Sequence, residues 1–348
     1  MVVHQLLSGA GPVDAVTGQA LAFRALFDAW GWEGDDFAVH IDPRMDGRVR
    51  PLSGLEPAAD DVLLVHYSAY APKLRPALAT GNPKLLVSHN VTPAKYLWGY
   101  EPTVALHCAL GRAQLPDFAE AVDLAAGVSA YNVSELEEAG ARRTAVIPVL
   151  FDRSRLGDPA SGRPDGPPTI LYVARLTPHK RQDEVLRVFA LYRRWREPEA
   201  RLVLVGEPLS PRYGRALREL ADELVPGAVE IEGGLAPEEL WERYRSAHAF
   251  LCLSEHEGFC IPLLEAFHFG VPVVARAVGG VPEVAGDAAL LVPDREDDRG
   301  VIAELLHLAV RDEELRSELR ARGQRRLDAF RFEDTARRLR EAVESVAA

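Results

Sequence analysis

The stretch "AFLCLSEHEGFCIPLLEAFHFGVPVVA" (residues 249–275) decides the fold. Its first six residues are a nearly unbroken apolar run, the pattern of a strand buried on both faces. Pro262 suits the first position of a helix, where a missing N–H costs nothing. Gly270 suits the helix stop, and "VPVVA" (271–275) then reads as a second buried strand. Strand, loop, helix and strand in so short a span make a βαβ unit, the building block of a parallel sheet. Glu257 falls in the loop at a strand's carboxyl end, and Glu265 falls in the first turn or two of the helix. The backbone N–H groups from Ile261 to Leu264 lack partners inside the helix, and the helix dipole draws anions to that end. A phosphate site with an acid on either side is the expectation.

The same pattern extends outward in both directions. Apolar runs in the first half are 2–7, 37–41, 61–67, 84–90 and 144–150. In the second half they are 169–174, 200–206, 229–233, 249–254, 271–275 and 289–292. Helix-length amphipathic segments separate them, which predicts an α/β chain of two doubly wound, Rossmann-like parallel-sheet domains facing across a cleft. Residues 152–168 carry four prolines and three glycines and read as a linker. The expected division is therefore a domain over 1–151, the linker, and a second domain over 169–332. The tail 333–348 places Ala336, Leu339, Val343 and Val346 on one helical stripe. It could cap either domain and is assigned to the first.

Composition narrows the function classes. The chain has 348 residues, 47% of them hydrophobic and 26% charged, with a formal net charge of −12. That charge disfavours a general nucleic-acid binder. Three scattered cysteines without a C-x-x-C pair point to a reducing compartment and to neither a disulfide framework nor a zinc cluster. The first residues lack the shape of a signal peptide, and no apolar run approaches the roughly 20 residues that span a bilayer. A cytoplasmic location is the expectation. The arginine-rich stretch 311–340 mixes both charge signs and reads as an exposed helix face, with peripheral lipid contact at most.

Candidate chemistry gathers at predicted strand ends, where ligands of such sheets bind. Arg175 and Lys180, in "VARLTPHK", follow the first strand of the second half. They could neutralise a diphosphate, arginine as a fork and lysine as a point charge, or form a solvated basic turn. Glu257 beside Gly258 could accept two hydroxyls of a sugar, whereas Glu265 could equally be an acid stabilised by the helix dipole. His89 ends a strand in "HNVTP", and His66 ends another; a lone histidine there can also be structural. In "SGAGPVDAVTGQ" (8–19), Gly9 and Gly11 are followed by Asp14, which departs from G-x-G-x-x-G and weakens a nicotinamide-cofactor reading. Tyr96, Trp98 and Tyr100 could stack on a sugar acceptor or pack under a loop. The acidic runs 35–36, 60–61 and 294–298 lack histidine partners and read as solvated turns.

Taken together, "SEHEGFCIPLLEAFHFGVPVVARAVGGVPEVAGDAALLV" and "VARLTPHK" resemble the retaining glycosyltransferases of family four, which have the GT-B fold and an E-x7-E motif. The resemblance covers essentially the whole second half. It implies that Glu257 contacts the donor hexose, Glu265 the ribose, and Arg175 and Lys180 the diphosphate. Gly258, Phe259, Cys260, Ile261, Pro262 and Leu263 would form the loop and helix start around it. Cys260 stands where many members have glycine. More weakly, residues 8–19 look like the family's glycine-bearing first loop, with Gly11 and Asp14 on the donor, and "HNVTP" looks like its "HNITP" variant, with His89 at the cleft.

The implied activity is metal-independent transfer of a hexose from a nucleoside diphosphate sugar to a hydroxyl, with retention of anomeric configuration. His89, Glu257, Arg175 and Lys180 would be catalytic, and Tyr96, Trp98 and Tyr100 would meet the acceptor. The nucleotide sugar is a co-substrate and no cofactor is expected. The acceptor would be a sugar, a lipid-linked sugar or a small molecule. A nucleotide-sugar epimerase or phosphorylase on the same fold, or a non-catalytic nucleotide-sugar binder, stays open.

Overall fold

A computed structural model describes residues 1–12, 14–45, 47–159, 162, 164–293 and 298–348. The chain divides into two compact units. The first comprises Met1–Lys95, Pro102–Leu150 and Phe332–Ala348, and the second comprises Tyr96–Glu101 and Phe151–Arg331.

The first unit holds a seven-stranded sheet, β1 (Val3–Ala10), β2 (Asp36–Ile41), β3 (Arg50–Pro51), β4 (Val62–Tyr67), β5 (Lys84–Ser88), β6 (Leu124–Gly127) and β7 (Thr144–Val146). All pairs are parallel in the order β3-β2-β1-β4-β5-β6-β7, so the direction of winding reverses between β1 and β4. Its helices are α1 (Ala15–Ala29), α2 (Arg75–Leu78), α3 (Pro102–Ala121) and α4 (Ala130–Glu138). Every residue of β4 and β5 is buried, as expected for central strands covered on both faces.

The second unit holds six parallel strands in the order β10-β9-β8-β11-β12-β13. They are β8 (Thr169–Val173), β9 (Arg201–Val205), β10 (Val229–Glu232), β11 (Ala249–Cys252), β12 (Val273–Arg276) and β13 (Ala289–Val292). Its helices are α5 (Gln182–Trp195), α6 (Pro211–Leu224), α7 (Pro237–Arg245), α8 (Ile261–His268), α9 (Val281–Ala285), α10 (Arg299–Arg311) and α11 (Glu313–Leu327). The reversal lies between β8 and β11, so the loops after those two strands open side by side at their carboxyl ends. The last helix, α12 (Phe332–Ala347), packs with the first unit, where Leu339 and Val343 join Phe23, Phe27 and Val87 in one core.

Several expectations need correction. Residues 96–101, assigned to the first domain, group with the second unit, and the described part of 152–168 belongs there too. Residues 160, 161 and 163 of that stretch lie outside the described residues, as do 294–297 of the acidic run. Helix α8 begins at Ile261, so Pro262 is its second residue rather than its first. Asp36 and Asp61 are not solvated. Asp36 is buried and accepts bonds from Gln5 and Arg24, and Asp61 accepts from the backbone N–H of Ala58. Strand β6, "LAAG", was not among the predicted runs, since alanine and glycine carry no strand signal. Glycine is needed at 127, because a Cβ there would lie 2.7 Å from the backbone nitrogen of Val133 on α4. Among the described residues no helix is long and apolar enough to cross a membrane.

Candidate active site

The loops after β8 and β11 bring Lys180 and Glu257 together across 77 positions of sequence. Lys180 Nζ donates to Glu257 Oε1 at 2.7 Å, and Ser254 Oγ donates to the same oxygen at 2.7 Å. Ser254 Oγ also meets the Tyr172 hydroxyl at 2.6 Å, and that hydroxyl donates to the Lys180 carbonyl at 3.0 Å. The result is a closed network of Tyr172, Ser254, Glu257 and Lys180. Burial pulls the Lys180 ammonium down, but its ion pair with Glu257 wins and holds it above the ordinary lysine value. Glu257 is 6% exposed although it stands in a loop, because the lysine neutralises it. The loop before α9 seals it from behind. Gly280 N–H donates to the Glu257 carbonyl at 2.9 Å. A Cβ on Gly279, whose φ is +52°, would lie 2.1 Å from that oxygen.

Cys260 caps α8 with φ +82°, a left-handed conformation that glycine adopts freely and cysteine does not. Of the N–H groups expected to be open, that of Leu263 bonds the Cys260 carbonyl at 3.2 Å, and Pro262 has none. Arg175 is exposed, and its guanidinium has no ion-pair partner among the described residues. Glu265, half-buried in the second turn of α8, accepts the Tyr244 hydroxyl at 2.6 Å. Burial raises its carboxyl above the ordinary value. Arg181, which sequence reading passed over, caps α5 at φ +52° and pairs with Asp183, Glu184 and Glu255. "HKRQDE" (179–184) already sets Arg181 two and three residues before two of these acids.

In the first unit, His89 follows β5, and its Nε2 lies 2.8 Å from Nδ1 of His66 on β4. His66 Nε2 lies 2.8 Å from Gln5 Oε1, and the Gln5 amide donates to Ala20 O and Asp36 Oδ1, each at 2.8 Å. Those two acceptors fix the Gln5 amide with its oxygen toward His66. His66 therefore donates from Nε2 and accepts at Nδ1, so His89 carries its proton on Nε2 and keeps Nδ1 as an acceptor. Burial pushes His89 down to about 4 and His66 well below the ordinary histidine value, so both are neutral at pH 7. Asn90, with φ +74°, turns the chain away directly after it. Asp14 is occupied as the cap of α1, accepting Thr17 N at 2.9 Å and Thr17 Oγ1 at 2.8 Å. Gly11 N–H donates to the same threonine oxygen at 3.1 Å.

The three aromatic candidates fall in the second unit. Tyr96 donates to the Glu255 carbonyl at 3.4 Å, and Tyr100 meets Tyr213 edge-on with centroids 4.9 Å apart. Both line a cavity of about 430 Å³ together with Arg181, Asp183 and Glu255. Trp98 is 50% exposed.

Residues 157–326 match the family of group 1 glycosyl transferases. The chain is 30% identical over 286 residues to the GDP-mannose-dependent alpha-(1-6)-phosphatidylinositol monomannoside mannosyltransferase of Mycobacterium tuberculosis, covering 76% of this chain and 71% of that one. It is 32% identical over 200 residues to the D-inositol 3-phosphate glycosyltransferase of Kineococcus radiotolerans, or 53% and 44% of the two chains. Among solved structures, sucrose-phosphate synthase from Thermosynechococcus elongatus has a TM-score of 0.78 at 17% identity, with 99% of this chain and 98% of that one covered. Anabaena HepE in complex with UDP-glucose has 0.75 at 17% identity, with 99% and 100% covered. The two doubly wound units are thus the Rossmann-like domains of the GT-B fold. The chain belongs to the group 1 glycosyltransferases. It is a glycosyltransferase that uses a nucleotide-sugar donor.

Proposed function

We propose that the enzyme transfers a hexose from a nucleoside diphosphate sugar to an acceptor hydroxyl with retention of configuration and without a metal. The observation that carries this reading is the ammonium–carboxylate pair of Lys180 and Glu257 at the switch point of the second sheet, beside the start of α8. Breaking the anomeric C–O bond leaves positive charge on the sugar and sends the electron pair to the diphosphate. Lys180 and Arg175, with the helix start at Cys260–Leu263, would stabilise that leaving group, which is where preorganised charge helps most. Glu257, with Gly258 and Phe259 in its loop, would hold the hexose, and Glu265 the ribose. In the first unit, Gly11 and Asp14 would border the donor. Neutral His89 would present its Nδ1 acceptor to a sugar hydroxyl.

The departing phosphate would take the acceptor's proton as the new bond forms on the face the diphosphate leaves. Tyr96, Trp98 and Tyr100 would meet the acceptor. The relatives are named for a phosphatidylinositol mannoside and an inositol phosphate, which favours a polyol or sugar hydroxyl, lipid-linked or free. Three free cysteines fit a reducing cytoplasm. The test is turnover of nucleoside diphosphate hexoses with polyol acceptors in the presence of a chelator, with the product anomer read by NMR. An α-linked product from an α-linked donor is expected. An inverted linkage, or activity lost to the chelator and restored by manganese, would refute it.

A further inference from the structure

Cys252 at the end of β11, Cys260 at the start of α8 and Glu257 between them form a cluster whose two sulfurs transfer chemistry does not use. One sulfur, one carboxylate oxygen and the second sulfur all lie within 4.8 Å of one another. Cys252 is 1% exposed, Cys260 8% and Glu257 6%. We propose that these three side chains bind a soft divalent cation of the zinc class and that the bound ion inhibits the enzyme by withdrawing Glu257 from the donor. The competition, though not the binding itself, rests on the donor reading given above.

Donor type and charge both favour this assignment. Two thiolates and a carboxylate suit zinc or cadmium, and tetrahedral ligation with Zn–S near 2.3 Å puts the sulfurs about 3.8 Å apart. The side chains therefore close by no more than about 1 Å. On coordination each thiol gives up its proton, and a divalent ion together with the Lys180 ammonium then balances three anionic ligands. Polar groups already surround the sulfur: Ser254 Oγ is 3.6 Å from Cys252 Sγ, and Cys252 Sγ donates to the Tyr172 hydroxyl at 3.9 Å. A disulfide between the same sulfurs is the competing use. A disulfide has no use for the Glu257 carboxylate that stands within reach of both sulfurs. The charge of that carboxylate attracts a cation.

The experiment uses the full chain, reduced and stripped with a chelator, and titrates it with Cd²⁺ alone. One equivalent should produce a thiolate-to-metal charge-transfer band that Zn²⁺ displaces. Cys260→Gly should fold, because glycine accepts the positive φ found there, and it should lose the band, as should Cys252→Ala. Cys108→Ala, in the first unit, should keep it. No band in the wild type, or a band that survives both Cys252→Ala and Cys260→Gly, overturns the site. In a second arm, one equivalent of Zn²⁺ should weaken nucleotide-sugar binding about tenfold or more in the wild type and leave Cys252→Ala unaffected. A band without that loss overturns the inhibition. Failure of metal-free protein to bind any nucleotide sugar would instead sink the donor reading, because the cadmium band is read with no nucleotide present.

Discussion

At the scale of single residues, the two cations of "VARLTPHK" have different work to do. Lys180 is held in place by Glu257, whereas Arg175 is exposed and has no ion-pair partner among the described residues. Arg175→Ala should leave stability within about 0.5 kcal/mol, as for most surface changes. It should nonetheless weaken nucleoside diphosphate binding by about 1.5–3 kcal/mol, the worth of a charge-assisted bond. Unchanged affinity by calorimetry would remove Arg175 from the diphosphate site. Lys180→Ala leaves a buried carboxylate unpaired and should cost stability of about 3–5 kcal/mol, measured by urea unfolding. Sequence reading found both cations and both glutamates. It could not see that one cation is spent on one glutamate, because the partners lie on different βαβ units. Nor could it see Gln5 or the tautomer it imposes on His66 and His89.

That histidine pair also sets a pH dependence. Both rings are depressed in the folded state, His89 to about 4, while the unfolded chain takes up protons near the ordinary 6.5. The unfolded state therefore binds more protons between those values. Stability is full above about 6.5 and falls as pH drops toward about 4. Urea midpoints across that range should show the loss, and His89→Gln should reduce its slope. An equal slope in wild type and variant would contradict the assignment.

At the scale of elements, strands rich in valine, isoleucine and leucine were legible, and β6 was not. The strand signal is a side-chain signal, and "LAAG" has few side chains to give it. Positions of positive φ are the second blind spot. Cys260 and Arg181 adopt left-handed backbone at the starts of α8 and α5, and neither residue type announced it, whereas Asn90, left-handed after β5, is of the type that visits that region most readily after glycine. Gly279 is the converse, a glycine whose reason is the Glu257 carbonyl behind it. Gly279→Ala should push that loop back, lower the unfolding temperature and weaken nucleotide-sugar binding together. A variant with wild-type affinity would show that the loop does not set the position of Glu257.

At the scale of the whole molecule, two units with separate sheets invite two unfolding transitions, and each substitution should move its own. Leu339 on α12 is fully buried in the first unit, so Leu339→Ala should destabilise that unit by about 2–5 kcal/mol. Nucleoside diphosphate at 100 times its dissociation constant should stabilise the second unit by about 2.7 kcal/mol in both proteins. Calorimetric scans with and without nucleotide check both. A nucleotide effect confined to the transition moved by Leu339→Ala would put the diphosphate in the wrong unit.

The central claim is that the two glutamates bracketing the start of α8 divide a nucleotide sugar between them. Four calorimetric titrations test it most directly: Glu257→Gln and Glu265→Gln, each with a nucleoside diphosphate and with the corresponding sugar nucleotide. Glu265→Gln should weaken both ligands, because both contain the ribose. Glu257→Gln should lose the extra affinity conferred by the sugar while retaining binding of the bare diphosphate. Wild-type affinity in all four titrations would contradict the account.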